Sequence, residues 1–426
     1  MGHVDDQLVV MLRDRLRLRE GRESPSRRLA GALSDLAQTG ALSGRLPSER
    51  ELAGVVGLSR GTVAAAFNLL CEEGLAERRH GSGTYVRSYP AAPGFSGLLT
   101  GGPVLADLSA SVVPDPSHLV MPALDPEELL RTPSGHGYDP LGHPALRAVL
   151  GPVLVTGGAQ QGLDLAVRAF VRAGDRVLVG DPAYGGLLSI LRRAGAHAVP
   201  VDLTSPAAVE AAIAAHRPAL VYVAAVDNPT GAVQDLEHVA AAADAADVLL
   251  VEDRTLAPIT YGRPSPEPLA RRHPHGTVSV GSLSKVMWGG LRVGWLEAAE
   301  PLLARLVEAK LDADLATGAV SQRLAAALLE LNPLTTWLDT LTARRAHFTG
   351  LLSEHLPGWR FTMPAGGLSV WARLPGVDTD RFAARAREEG VAVAPGSLFS
   401  PDGRHRDRLR LSFALPLPLQ TEAVRL

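Results

Sequence analysis

The chain has 426 residues, 46% of them hydrophobic and 20% charged, with a formal net charge of −3. That length and composition suit two or three folded domains, and the overall charge does not by itself call for a polyanionic partner. A single cysteine, Cys71, excludes an internal disulfide framework and points to a reducing compartment. No apolar run of about 20 residues offers a membrane span, and no apolar stretch before a small-residue cleavage site offers a signal peptide.

The first compact pattern covers 27–87. "SRRLAGALSDLAQTG" has apolar residues at helical spacing and stops at Gly40. In "LPSERELAGVVGLSRGTVAAAFNLLCEEGLAERRHGSGTYV", Ser48 and Glu51 form an S-x-x-E capping box that starts a helix. Gly57 ends that helix, and Ser59 caps a second one running to about Glu73. Cys71 lies in this second helix and reads as core. Two helices joined by a short glycine-containing turn make a helix-turn-helix. "LAERR" and "TYVR" then flank "HGSG" as a hairpin, the wing of a winged helix.

A recognition helix presents polar side chains from its N-terminal end to the major groove, and here these are Ser59, Arg60 and Thr62. The Arg60 fork suits guanine edges. Ser48 and Arg50, at the start of the preceding helix, suit phosphates. In the wing, Gly81 and Gly83 allow close backbone approach to the minor groove, with Arg79 and His80 beside them. Residues 1–90 carry 13 Lys/Arg against 11 Asp/Glu, so charge does not identify the module. The order of "LPSERELA", "LSRGTV", "EEGL" and "GSGTYV" does: it resembles the GntR-type winged helix-turn-helix over 27–87.

"SYPAAPGFSGLLTGGPVLA" is rich in Pro and Gly without periodicity and reads as a linker. The expected division is a DNA-binding domain over 1–88, a linker over 89–106 and an effector domain over 107–426.

Beyond the linker, the apolar runs "RVLVGD", "ALVYVAAV", "DVLLVED" and "TVSVGS" alternate with helical segments near 160–172, 186–194, 206–215 and 235–246. That alternation predicts a mostly parallel sheet covered by helices. From about 340 the pattern loosens into strand candidates, "GWRFTMPAGGLSVWARLP" and "RLRLSFALP", around a helix at 379–389, a smaller α+β lobe.

Of 42 basic residues only Lys285 and Lys310 are lysines. A chain that uses arginine wherever charge suffices has a reason to keep a lysine in "VSVGSLSKVMWGGLRVGW". A partly buried ε-amine can lose its proton and attack a carbonyl, as in the Schiff base with pyridoxal phosphate (PLP), and a guanidinium cannot. PLP also needs an acid at its pyridine nitrogen, a donor to its ring hydroxyl, a phosphate cradle and a flat surface. Asp253, ending "VLLVED", can supply the acid and Asn228 in "DNPTG" the donor. "TGGAQQGL" can form the cradle, with Gly158 and Ala159 opening a helix whose dipole favours an anion. Ser282, Ser284 and Arg292 can add contacts, and Tyr184 in "DPAYGG" can lie against the ring. All fall at the carboxyl ends of strands or in the loops that follow, where open α/β sheets bind ligands.

From about Asp107 to Leu426 the sequence resembles the fold-type I aminotransferases. The resemblance implies Lys285 as the Schiff-base lysine, Ser282 and Arg292 at the phosphate, and Asn228 and Asp253 on the ring. It also implies Arg410 in "RLRLSFA" as the grip on a substrate or effector α-carboxylate. The two halves together resemble the MocR subfamily of GntR regulators, on "GYDPLGHPALR", "VTGGAQQGLDL", "GSLSKVMWGGLRVGW", "PAGGLSVWARLP" and "VAVAPGSLF". This implies a cytoplasmic, PLP-dependent, DNA-binding transcriptional regulator that senses PLP, an amino acid or an amine as a head-to-tail homodimer; no metal is expected. The alternative is a working aminotransferase with an appended DNA-binding domain. Two departures stand out. Thr255 replaces the family's tyrosine two residues after Asp253, and only Gly151-Pro152 separates "PALRAVL" from "VLVTGGAQQ", where a further helix and loop are usual.

Overall fold

A computed structural model describes residues 9, 11–13, 15–16, 24–38, 42, 44–72, 76–79, 82–86, 95, 97–100 and 102–425. The chain forms two compact units, Met1–Gly94 and Phe95–Leu426.

In the first unit, helices Pro25–Gln38, Glu49–Val56 and Arg60–Glu72 precede a hairpin of β1 (Ala76–Arg79) and β2 (Gly83–Val86). The expected capping box is present. The Ser48 hydroxyl accepts from the Glu51 amide, and the Glu51 carboxylate accepts from the Ser48 amide at 3.0 Å. Gly57 ends the helix in the left-handed region at φ 69°, which a residue without Cβ adopts freely. The Ser59 hydroxyl takes the Thr62 amide at 3.1 Å and so caps the next helix. The pair turns through 115°, the angle of a helix-turn-helix. Leu29, Leu33, Leu52, Val63, Phe67 and Leu70 form the core between the helices, and Cys71 packs at its margin. The hairpin closes with Arg79 opposite Gly83, and the Leu46 amide bonds the Thr84 carbonyl at 2.8 Å. His80 and Gly81, both expected at the wing tip, lie outside the described residues.

The second unit begins earlier than its sequence suggests. Phe95 and Leu98 pack in a small cluster with Trp371, Ala394 and Phe399, so part of the stretch expected as linker is docked. Pro and Gly around them masked two apolar anchors. Strands follow as β3 (Ala106–Asp107), β4 (Leu154–Thr156), β5 (Arg176–Val179), β6 (His197–Pro200), β7 (Leu220–Ala224), β8 (Leu249–Asp253), β9 (Thr277–Ser282) and β10 (Gly294–Ala298). Seven of them form one sheet in the order β4-β10-β9-β8-β7-β5-β6. The expected strands are its parallel centre, while β10 runs antiparallel to both its neighbours. Helices Ala159–Phe170, Gly185–Arg193, Pro206–His216 and Glu237–Ala245 cover the faces, close to the expected segments. Two apolar clusters, one around Leu163, Val177 and Val280 and one around Leu178, Val209 and Val239, fill the two faces.

The smaller lobe contains β11 (Arg360–Phe361), β12 (Ser369–Arg373), β13 (Val391–Ala392), β14 (Ala394–Pro395) and β15 (Arg408–Ser412). Four of these form a sheet ordered β11-β12-β15-β14, and β13 pairs in parallel with β3. The segment 106–108 is therefore stitched to this lobe, with the Ser412 amide on the Leu108 carbonyl at 2.8 Å. Helix Pro144–Leu150 is followed directly by β4, as the short Gly151-Pro152 connection requires. No single helix among the described residues is long and apolar enough to cross a membrane.

Candidate functional site

Lys285 lies on a π-helical turn, Ser284–Trp288, immediately after β9. Such turns are rare and concentrate at functional sites. Its amine is half-buried and donates to the Ser111 carbonyl. Burial, the nearby Arg410 and then Arg292 bring its pKa down to about 8, against the opposing pull of Asp253. A neutral amine is thus accessible near physiological pH.

Asp253 ends β8, next to the Lys285 strand in the sheet. Its carboxylate accepts from the Thr255 amide at 2.8 Å and the Tyr222 hydroxyl at 3.1 Å. Burial raises its pKa, while these two bonds and the Lys285 charge hold it back. Thr255 contributes its backbone amide to this carboxylate.

Arg410 is only 3% exposed. It sits in β15, between β12 and β14, in the interior of the small sheet. It donates to the Asn228 side-chain oxygen at 3.2 Å and to the Ser109 carbonyl, and its guanidinium lies 4.7 Å from the centre of the Phe399 ring. Burial lowers its pKa to about 10, and its Nε has no partner. A buried guanidinium with a donor to spare is suited to a carboxylate.

At the other end of the site, Gly157 and Gly158 lead from β4 into helix Ala159–Phe170. Gly158 has φ 106°, and a Cβ there would fall 2.9 Å from an Arg292 nitrogen. The Arg292 backbone is itself left-handed, at φ 52°, and its side chain donates to the Gly157 carbonyl. Ser282 ends β9; its hydroxyl lies 3.1 Å from that of Ser284 and accepts the Ser284 amide at 3.2 Å. Tyr184 is the N-cap of helix Gly185–Arg193 and bonds Gln160 at 2.9 Å. The charges of Asp253, Arg410 and Arg292 all act on its phenol, whose pKa burial raises. The sequence-expected residues of this half therefore converge.

Sequence reasoning missed the segment 107–111. The Asp107 carboxylate accepts from the Ser109 amide at 2.8 Å, the Ser109 hydroxyl at 2.6 Å and the Ala110 amide at 3.1 Å. This tight turn presents the Ser109 and Ser111 carbonyls to the two cations. The signal was available: an Asp followed two residues on by Ser is a turn former. Tyr222 was also missed, because its strand reads as uniform core.

In the DNA-binding unit, Arg60 is exposed at the start of its helix and lies 3.8 Å from Glu49, which Arg78 approaches at 3.9 Å. Arg50 is exposed, and the Ser48 and Ser59 hydroxyls are engaged in caps. Arg79 lies over the Tyr85 ring at 4.4 Å and bonds Glu77 at 2.7 Å.

Residues 139–424 match the family described as aminotransferase class I and II, and residues 27–86 match the bacterial regulatory proteins of the gntR family. The chain is 33% identical over 283 residues to a 2-aminoadipate transaminase of Thermus thermophilus, covering 62% of this chain and 70% of that one. It is 25% identical over 436 residues, 88% of each chain, to the uncharacterized HTH-type transcriptional regulator YisV of Bacillus subtilis. Over 279 residues it is 31% identical to the HTH-type transcriptional regulator TauR of Rhodobacter capsulatus, covering 63% of this chain and 58% of that one. Among solved structures it resembles the α-aminoadipate aminotransferase LysN of Thermus thermophilus in complex with N-(5'-phosphopyridoxyl)-L-leucine. That match has a TM-score of 0.69 and 30% identity, covering 78% of this chain and 92% of that one. The aminotransferase class is PLP-dependent, and the residues present fit that cofactor: an amine near neutrality, a buried carboxylate, a glycine loop closed by an arginine, and a buried arginine with an orphaned nitrogen. The chain belongs to the class I and II aminotransferase family and carries a gntR-family DNA-binding module ahead of that domain, the MocR-type arrangement its motifs resemble.

Proposed function

We propose that the protein is a cytoplasmic transcriptional regulator whose aminotransferase domain holds PLP on Lys285 and reads an amino acid or amine. The observation that carries this reading is the placement of Lys285. One of only two lysines in the chain stands where burial and two arginines bring its amine to about 8, opposite Asp253.

PLP supplies a carbonyl that amines exchange onto and a ring that withdraws electrons. The chain's own residues do the rest. Asp253, fixed by Tyr222 and the Thr255 amide, holds a negative charge for the pyridine nitrogen. Asn228 spends its oxygen on Arg410, which leaves its NH2 group to donate to the ring hydroxyl. Tyr184 would offer its flat face to the ring. The Gly158 and Ala159 amides, Ser282, Ser284 and Arg292 hold the phosphate. Arg410 grips the effector carboxylate. Thr255 supplies no phenol at the ring, which favours sensing over turnover.

The DNA unit binds an operator through Arg60, Ser59 and Thr62 in the major groove and Ser48 and Arg50 on phosphates. Gly83 and Arg79, with His80 and Gly81, belong to the wing. A head-to-tail homodimer offers two such units to two half-sites. An effector regulates only as far as it binds the DNA-competent and DNA-incompetent states unequally.

The test is the visible absorption of the PLP-loaded protein titrated with amino acids and amines, with Lys285→Ala as control. A lysine-dependent band that shifts and then stays, without keto acid production, supports a sensor. Keto acid production that becomes steady once an acceptor keto acid is added identifies an aminotransferase instead. A band that survives Lys285→Ala refutes the assignment.

A further inference from the structure

The second lysine is unaccounted for by this site. Lys310, on helix Glu300–Asp314, is 1% exposed, and its ammonium bonds the Asp314 carboxylate at 2.6 Å. The other Asp314 oxygen accepts from the Gln161 side-chain nitrogen, also at 2.6 Å. The Gln161 side-chain oxygen accepts the Gly157 amide at 2.5 Å. Arg292 then takes the Gly157 carbonyl from the other side. A line of hydrogen bonds thus runs from a sealed ammonium to the first glycine of the loop proposed above for the phosphate.

The line has a direction. A carboxylate only accepts, so Asp314 forces the NH2 end of Gln161 towards itself and the oxygen end towards Gly157. The flipped amide would set oxygen against carboxylate and NH2 against N–H. The Lys310 ammonium, at 2.6 Å, holds Asp314 in place. With Gly157 held at both its amide and its carbonyl, the amides of Gly158 and Ala159 remain the open donors at the helix start, where intrahelical partners are lacking.

We propose that Lys310 is a positioning residue for the cofactor phosphate. Through Asp314 and Gln161 it fixes Gly157 and so aims the Gly158 and Ala159 amides. This rests on the reading of 157–159 and Arg292 as the phosphate cradle.

The experiment compares the dissociation constants of PLP and of pyridoxal, which lacks the phosphate, for the full chain and its variants. Arg292→Gln reports on the cradle itself. Lys310→Met should weaken PLP by about tenfold while leaving pyridoxal within about twofold, the scale of one charge-assisted hydrogen bond. Gln161→Ala should do the same without touching a buried charge, so it decides the question if Lys310→Met does not fold. Lys310→Met combined with Asp314→Leu leaves no uncompensated charge; it should recover stability relative to Lys310→Met and still lose the preference for PLP. Selective loss in Arg292→Gln alone overturns the relay and leaves the cradle standing. Equal losses for both ligands in the Lys310 and Gln161 variants reduce the chain of bonds to a structural role and overturn the proposal. Equal losses in Arg292→Gln overturn the cradle, and the relay with it.

Discussion

The Lys285 amine gives a sharp kinetic expectation. Only the neutral amine attacks an aldehyde. With a pKa of about 8, roughly a tenth of the amine is neutral at pH 7, against about three in ten thousand for an ordinary lysine near 10.5. Capture of PLP by the unloaded protein should therefore be about 300-fold faster than the same reaction at an unperturbed lysine. Its rate should climb tenfold per pH unit and level off near pH 8. Arg410 is the largest charge acting on this amine, so Arg410→Met should move the break upwards. Stopped-flow absorbance between pH 6 and 10 measures both. A rate that climbs without a break through pH 10, or a break that Arg410→Met leaves in place, refutes the electrostatic account. Stability follows with a definite sign. Between about pH 8 and 10.5 the unfolded chain keeps the Lys285 proton and the folded chain has lost it, so stability rises with pH across that window, by at most about 3 kcal/mol. Lys285→Met should flatten that rise in urea titrations.

Arg60→Ala should cost operator binding about 1–3 kcal/mol and leave random-sequence DNA little affected, read by anisotropy at fixed salt; equal losses argue against base readout. Ser48→Ala removes one arm of the capping box and should lower the stability of the first unit by about 1 kcal/mol, followed by urea denaturation. Gly281→Ala would place a Cβ 2.1 Å from the Trp295 ring, so about 2 kcal/mol of stability should be lost unless the indole moves, which near-ultraviolet circular dichroism would detect.

The DNA unit was legible almost throughout, because caps and turns are local chemistry. Ser48 with Glu51, Gly57, and Ser59 with Thr62 each announce a boundary within four residues. The parallel centre of the large sheet was legible for a different reason: strands buried on both faces are continuous apolar runs. β4 has only three residues, and β6 (HAVP) and β10 (GWLEA) are interrupted by His, Pro, Gly or Glu and so lack a continuous apolar run. The reversal at β10 depends on Gly281 and Gly294 letting the chain fold back closely. Arg410 stood out as an arginine in a strand, but its burial comes from Ser109, Asn228 and Phe399 packed against its side chain, which lie far apart in the sequence. The carbonyls of 109 and 111 have no side-chain signature, so only the fold brings them to Lys285 and Arg410.

The scarcity of lysine has a consequence for chemistry applied to the whole molecule. Apart from Lys285 and Lys310, the 42 Lys and Arg residues are all arginines, and Lys310 is sealed. Acylating and cross-linking reagents aimed at amines therefore meet one half-accessible side-chain target, and it is the lysine proposed above to hold PLP. Labelling stoichiometry at amines becomes a direct occupancy assay for the site, read by mass without following colour or turnover.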